Sequence, residues 1–229
     1  LDACPEAIYV PAHIWTPHFS LFGAFSGFDT IEECYEELTP QVHALETGLS
    51  SDPSMNRRLS ALDSFHLISN SDAHSPAKLG REANLFDIPM SYDGLYGAIQ
   101  RGEGLAGTIE FFPEEGKYHF DGHRKCHLCL SPSQARQYNG ICPVCGKKLT
   151  TGVLHRIEQL ADRQEDFILP GGRPYENLVP LPEVIAACMG SSSASVKVTR
   201  QYEHMLEELG NEFYILRQAP LEDISHAAG

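Results

Sequence analysis

Cys126-x2-Cys129 and Cys142-x2-Cys145 stand twelve residues apart. Four thiolates at this spacing suit one tetrahedral zinc ion held between two knuckles. Four sulfurs fill that geometry, so the site reads as closed and structural, and His127 inside the first knuckle reads as a non-ligand. Gly146, directly after the second pair, is the residue expected at a tight turn.

A second constellation is of another kind. Ser71-Asp72-Ala73-His74 follows the apolar stretch His66 to Ser69. Asp72 and His74 are two residues apart and would project from one side of an extended segment, together with Asn70. A carboxylate and an imidazole there suit Zn, Mn or Fe. His13, at the end of an earlier apolar run, would reach the same rim, with His18 a weaker candidate. Glu46, ending the stretch from Val42, is either a ligand or a group that orients one. A two-metal phosphoesterase centre needs more ligands than these. His119 and His123 flank Phe120-Asp121-Gly122, as rim or phosphate-binding groups or as ordinary surface residues. A P-loop, a dinucleotide-binding glycine pattern and Gly-x-Ser-x-Gly are all absent from the sequence.

The elements that position these residues alternate. Strands are expected over 8–15, 42–46, 66–69 and 105–112, and helices over 30–38 (capped by Asp29), 53–64, 76–84 and 91–101. That order argues for an α/β layer or barrel with parallel strands, whose C-terminal strand ends carry the site. A loop rich in Phe and Gly is expected over 16–28. A helix over 152–163, a break at 170–174, a helix through Val198, Tyr202, Met205, Leu206 and Leu209 up to Gly210, and a short strand over 213–216 complete the chain. Cys4, Cys34 and Cys188 read as small buried hydrophobes.

At 229 residues and a net charge of -14, the chain is large enough for more than one module and is no uniformly basic nucleic-acid binder. The charge is uneven: residues 117–156 hold seven basic side chains against the single acid Asp121. Such a patch can track phosphates, and Lys125, Arg136, Lys147 and Lys148 are the candidates to do so; surface charge on a ribbon is the plainer alternative. No apolar run approaches the roughly 18 residues of a membrane span, no signal peptide is visible, and the knuckle cysteines suit a reducing compartment, so a cytoplasmic protein is expected. The start at Leu1, with Ile8-Tyr9-Val10 close behind, reads as a piece of something longer.

Three segments together resemble one family. Pro11-Ala12-His13-Ile14-Trp15-Thr16-Pro17 is similar to the late histidine motif of PHP-domain metallophosphoesterases, and Ser71-Asp72-Ala73-His74 to their final Asp-x-His motif, in the family's order and 59 residues apart. The stretch from Gly107-Thr108-Ile109-Glu110 through Phe111-Phe112-Pro113-Glu114-Glu115-Gly116-Lys117-Tyr118-His119, followed by the cysteine pairs, resembles the endonuclease Q family of DNA repair nucleases.

The resemblance implies an α/β fold: the C-terminal part of a distorted (β/α)7 PHP barrel over 1–112, a Cys4 zinc ribbon over 113–150 and a mostly helical DNA-binding region over 151–229. The family's early His-x-His motif and middle Glu and His ligands have no counterpart, as if the N-terminal part of the PHP domain were missing. It further implies cleavage of DNA 5′ of uracil, hypoxanthine, xanthine or an abasic site. His13, Asp72 and His74 would be catalytic and would bind Zn, Mn or Mg with Glu46; a structural Zn would sit on the cysteines. An enzyme of this kind flips its target base into a pocket, and Ser50 and Asn70 are the candidate base readers, against a plain turn role. DNA with deaminated bases is the expected partner, with a clamp or other repair protein a further one. Two other readings stand beside this: a PHP-type small-molecule phosphatase and a non-catalytic nucleic-acid-binding zinc module.

Overall fold

The computed structural model describes residues 3–25 and 27–229; Leu1, and Ser26 within the expected 16–28 loop, lie outside them. The chain divides into two compact units, residues 1–177 and 178–229, and the boundaries expected after 112 and 150 both fall inside the first.

In the first unit, α1 (Ile31–Tyr35) is capped by Thr30 rather than Asp29. The Thr30 side chain accepts the Glu33 N–H, and Glu33 answers with a bond from the Thr30 backbone, a reciprocal capping box. The α-helical part ends at Tyr35, short of the expected 38, and the chain tightens into a 3-10 stretch, Glu36–Gln41, that contains Pro40. Next come β1 (Ala44–Glu46), α2 (Pro53–Asn56), β2 (His66–Ile68) and β3 (Ala83–Phe86). After these lie α3 (Tyr92–Arg101), β4 (Leu105–Glu110), β5 (Asp121–His123), β6 (Leu128–Leu130), α4 (Pro132–Gln137), α5 (Val153–Leu160) and β7 (Tyr175–Asn177).

β1 and β2 run parallel, Glu46 opposite Ile68. A second sheet orders β3-β4-β7, with β3 antiparallel and β7 parallel to β4. Asn84 of β3 joins the two sheets by a side-chain bridge: its Oδ1 accepts the Ser69 N–H at 2.9 Å and its Nδ2 donates to the Ser69 carbonyl at 2.8 Å.

Three expectations of secondary structure fail in this unit. The expected helix over 76–84 is a 3-10 turn at Pro76–Lys78 followed by β3, since pairing with β4 outweighs local propensity. Residues 53–64 form only α2 and a 3-10 turn at Ser60–Leu62. Residues 8–15 form no regular strand: the segment lies beside β1, where Pro11 O accepts the Glu46 N–H and Ile14 N–H donates to Glu46 O, and it turns away at His13 with φ 35°. The lone cysteines differ too: Cys4 and Cys188 are exposed and Cys34 is half-buried.

The main core of this unit gathers Ile14, Trp15, Phe22, Leu45, Leu62, Val153 and Ile157. Trp15 stacks on Phe22 at 4.9 Å, and its indole N–H donates to buried Asn56 at 2.8 Å, so the polar edge of a large apolar side chain stays satisfied. Thus α5, which follows the cysteine pairs in sequence, packs under the segment that carries His13.

The second unit is helical: α6 (Leu181–Met189), α7 (Val196–Leu209), α8 (Glu212–Arg217) and α9 (Leu221–Ala228). The apolar stripe expected on α7 is core: Val198 and Met205 are buried against Leu181, Ile185 and Ile215, with Tyr202, Leu206 and Leu209 packed on them. The strand expected over 213–216 is α8 instead, capped by the Asn211 side chain. No helix among the described residues is long and apolar enough to cross a membrane.

Candidate metal and nucleic-acid site

Glu46 is the hinge of the first constellation. It is 9% exposed at the end of β1. Its Oε2 accepts the His13 backbone N–H at 2.7 Å and its Oε1 accepts the Asn70 amide at 2.8 Å. Both oxygens are occupied, so of its two expected roles this geometry favours orienting over ligation. Asn70 in turn accepts from Asn84 at 3.1 Å. One carboxylate thereby ties the His13 turn, the end of β1 and the residue following Ser69 into one face.

His13 presents its ring from that turn, with Nδ1 3.2 Å from the Thr16 hydroxyl. Gly48 packs behind it at φ 62°; a Cβ there would lie 2.7 Å from the His13 Cβ, which explains a glycine at that point. Ser50 is buried two residues further on. A cavity of about 630 Å³ opens beside His13 and is lined by His18, Phe19, Phe25 and Tyr35. His18 stacks on Phe25 with centroids 4.6 Å apart, an arrangement that offers a flat aromatic wall.

Asp72 and His74 are exposed, their side chains 59% and 86% accessible. His74 Nδ1 lies 2.8 Å from the Asp72 carbonyl and 3.9 Å from its carboxylate. Asp72, like His13, holds a positive φ, 46°, a conformation that costs free energy in a non-glycine residue and recurs at functional sites. His13, Glu46, Asp72 and His74 are not drawn into one tight donor set. Among the described residues, the group with three or more ligand atoms within 4.8 Å of one another is His123, Cys126, Cys142 and Cys145.

That group shares three residues with the expected four-thiolate set. Cys126, Cys142 and Cys145 converge as expected, and His123 Nδ1 joins them, 3.5 Å from Cys145 Sγ, while Cys129 falls outside the 4.8 Å group. The reason is pairing: Cys129 sits on β6 opposite Gly122, while His123 ends β5. Three thiols and an imidazole still match the donor chemistry of a structural zinc site.

The basic side chains around this cluster are not alike. Lys125, Lys147 and Lys148 are exposed. Arg136 pairs with Glu158 at 2.9 Å, and Arg156 donates to the carbonyls of Phe22 and Phe28 and to Asp29, which makes it a structural tie. A groove of about 570 Å³ beside the cluster is lined by His18, Lys117, Phe120, His123, Arg124 and Cys129, a mix of cationic and aromatic groups. His119 is buried with Nδ1 unpartnered, and burial lowers its pKa, so it is no surface phosphate donor.

Asp121 and His155 carried no functional expectation. Asp121 is 1% exposed; its Oδ1 accepts the Gly152 N–H at 2.6 Å and its Oδ2 lies 2.6 Å from His155 Nδ1. The carboxylate therefore caps α5 from outside, where Gly152 has no side chain to do so. Separated by 34 residues, the pair left no local signal.

The fold and these sites define an α/β protein with a Cys/His group that could hold a metal and a separate Asp-x-His segment. Residues 180–228 match the family model described as the MJ0043 C-terminal domain. Over 95% of its length the chain is similar to the lesion-specific endonuclease of Pyrococcus furiosus, PfuEndoQ (32% identity, TM-score 0.83, 54% of that chain). It is equally similar to endonuclease Q in complex with a 27-mer duplex substrate bearing an abasic lesion at the active site (31%, TM-score 0.84, 55% of that chain). The resemblance to endonuclease Q thus holds in three dimensions. Relatives by sequence are the uncharacterized protein MJ0043 of Methanocaldococcus jannaschii (33% identity, 92% of this chain, 27% of the relative) and YqxK of Bacillus subtilis (28%, 95% and 52%). The chain spans about a quarter to about half the length of these proteins.

Proposed function

We propose that this chain forms part of a metal-dependent DNA endonuclease of base-deamination repair, cutting the phosphodiester 5′ of uracil, hypoxanthine, xanthine or an abasic site. The observation that carries the reading is the Glu46 bridge, which holds the His13 turn and Asn70 on one face beside an aromatic-walled cavity. In this reading the face belongs to the C-terminal part of a distorted PHP barrel. His13, Asp72 and His74 would hold the divalent cation, and the Asp72 and His74 donor atoms 3.9 Å apart are compatible with sharing one. Such a cation polarises a phosphodiester and lowers the pKa of water. Asn70 and Ser50 read the edge of an extruded base, and the stacked His18 and Phe25 wall the space beside it. The Cys/His cluster holds a structural zinc, and Lys125, Lys147 and Lys148 meet the DNA backbone.

The experiment is lesion cleavage and lesion binding by the protein with Asp72→Ala or His74→Ala. Cleavage is expected to fall by about a hundredfold or more, the scale of losing one electrostatic contributor to the transition state, with lesion affinity retained. Wild-type cleavage in both variants would sink the proposal. Charge reversal at Lys147 and Lys148 should lower the slope of log affinity against log salt by about 2, one unit for each phosphate no longer neutralised.

A further inference from the structure

Glu110, at the end of β4, is fully buried among hydroxyls. Thr108 Oγ1 donates to its Oε1 at 2.5 Å, Thr47 Oγ1 lies 2.8 Å from its Oε2, and the Ser69 hydroxyl also bonds it. Two of these hydroxyls have a second acceptor. Thr47 Oγ1 is 3.1 Å from the Ile68 carbonyl, and Ser69 Oγ is 2.9 Å from the Ile109 carbonyl. A hydroxyl has one hydrogen to give. With Glu110 ionised, Thr47 would face two acceptors with a single proton. With the proton on Oε2, Glu110 donates to Thr47 and Thr47 donates to Ile68, so both Thr47 contacts are hydrogen bonds.

The electrostatics agree. Glu82, on the neighbouring strand side, is 3% exposed, has Oε2 without a partner, and repels a charge on Glu110; Asp52 repels it from the turn before α2. Glu46 and Arg81 face Glu82, and Tyr175 of β7, itself near Glu114, faces Glu110. Burial first, opposed in part by the hydroxyl bonds, raises Glu110 to about 7, and burial with the Glu110 charge raises Glu82 to about 8.

The network's position gives it a role. Thr47 follows Glu46 and Ser69 precedes Asn70, so both residues of the lesion-reading bridge hang directly from hydroxyls that Glu110 holds. We propose that Glu110 is a positioning residue: a neutral carboxylic acid whose Oε2 proton locks Thr47 and so fixes the ends of β1 and β2 that present Glu46 and Asn70. Rising pH removes that proton and loosens the bridge. The proposal rests on the lesion-binding reading for its consequence, but not for the protonation itself.

The test has two arms. In the full-length protein, the 13C resonance of the Glu110 carboxyl is followed against pH together with the amide resonances of Glu46 and Asn70. Glu110 should stay neutral at pH 6 and titrate near neutrality, carrying both amides with it. Affinity for a uracil-containing duplex over an undamaged one is then compared at pH 6 and pH 8.5. It should fall by up to about thirtyfold, the fraction of protein still neutral with an apparent pKa near 7. Glu110→Gln donates and accepts where the neutral acid does, so it should keep the pH 6 preference and lose the fall. Glu82→Gln should keep the fall, and Glu110→Ala should lose the preference at both pH values. An ionised Glu110 at pH 6, or a Gln variant as impaired as the Ala variant, overturns the proposal. A wild type indifferent to the lesion at pH 6 ends the lesion reading instead, and the carboxyl titration then still decides the proton.

Discussion

With zinc in the Cys/His group, as proposed, Cys142→Ser or a chelator is expected to unfold residues 121–150 while leaving α6 to α9 folded. The apolar core there is small: Leu130, Ala135, Cys142 and Leu149 are its buried members, and Cys142 is both a core residue and a member of the Cys/His group that could hold a metal. A core of that size cannot hold a folded segment unaided. Structural zinc contributes on the order of 10–16 kcal/mol in small peptides, far more than such a core supplies. Metal content by elemental analysis should drop by one equivalent, and amide exchange of β5, β6 and α4 should lose protection. Exchange within residues 178–229 is the internal control, because that unit has its own core. His123→Ala should weaken zinc retention and Cys129→Ser should not. The reverse result would restore the four-cysteine set; unchanged ribbon exchange in the metal-free protein would contradict a structural role altogether.

Asp121→Ala should produce a large loss of stability without removing any member of the Cys/His group. The carboxylate is almost wholly buried and serves two donors, the Gly152 N–H and the His155 ring, the latter 15% exposed. Removing it leaves both without a partner and uncaps α5. Breaking a buried pair from one side costs about 3–5 kcal/mol, and even the low end would lower the melting temperature of this unit by roughly 6–12 °C. Because Val153 and Ile157 of α5 pack under Ile14 and Trp15, the damage should reach the His13 turn, visible as a shift in the His13 ring resonances. Asp121→Asn keeps an acceptor for Gly152 and should cost about half as much. A melting temperature within about 2 °C of wild type in the Ala variant would show that water replaces the missing bonds.

Residue types and short spacings carried the local chemistry. The paired cysteines pointed to a metal-binding group and the stripe on α7 to a helical core, because each is written within about twenty residues; Ser71-Asp72-Ala73-His74 read as a ligand motif from its two-residue spacing. Asn70 and Glu46 were legible as neighbours of that motif, though not the bond between them. Failures came where a distant partner outweighed local preference. Residues 83–86 became a strand because β4 offers a ladder, and 213–216 became a helix because Asn211 caps it and Ile215 fills the core beside Met205.

Sequence alone therefore determined the inventory: an α/β chain with two groups of candidate metal-binding side chains, a basic stretch and a motif order that resembles endonuclease Q. Only the tertiary structure decided which atoms meet. It brought His123 beside Cys126, Cys142 and Cys145, turned both Glu46 oxygens onto His13 and Asn70, set Asp121 at the start of α5, and enclosed Glu110 among three hydroxyls. Each of these depends on burial and on hydrogen-bond partners tens of residues away, and a buried polar group takes its role from the partners that satisfy it.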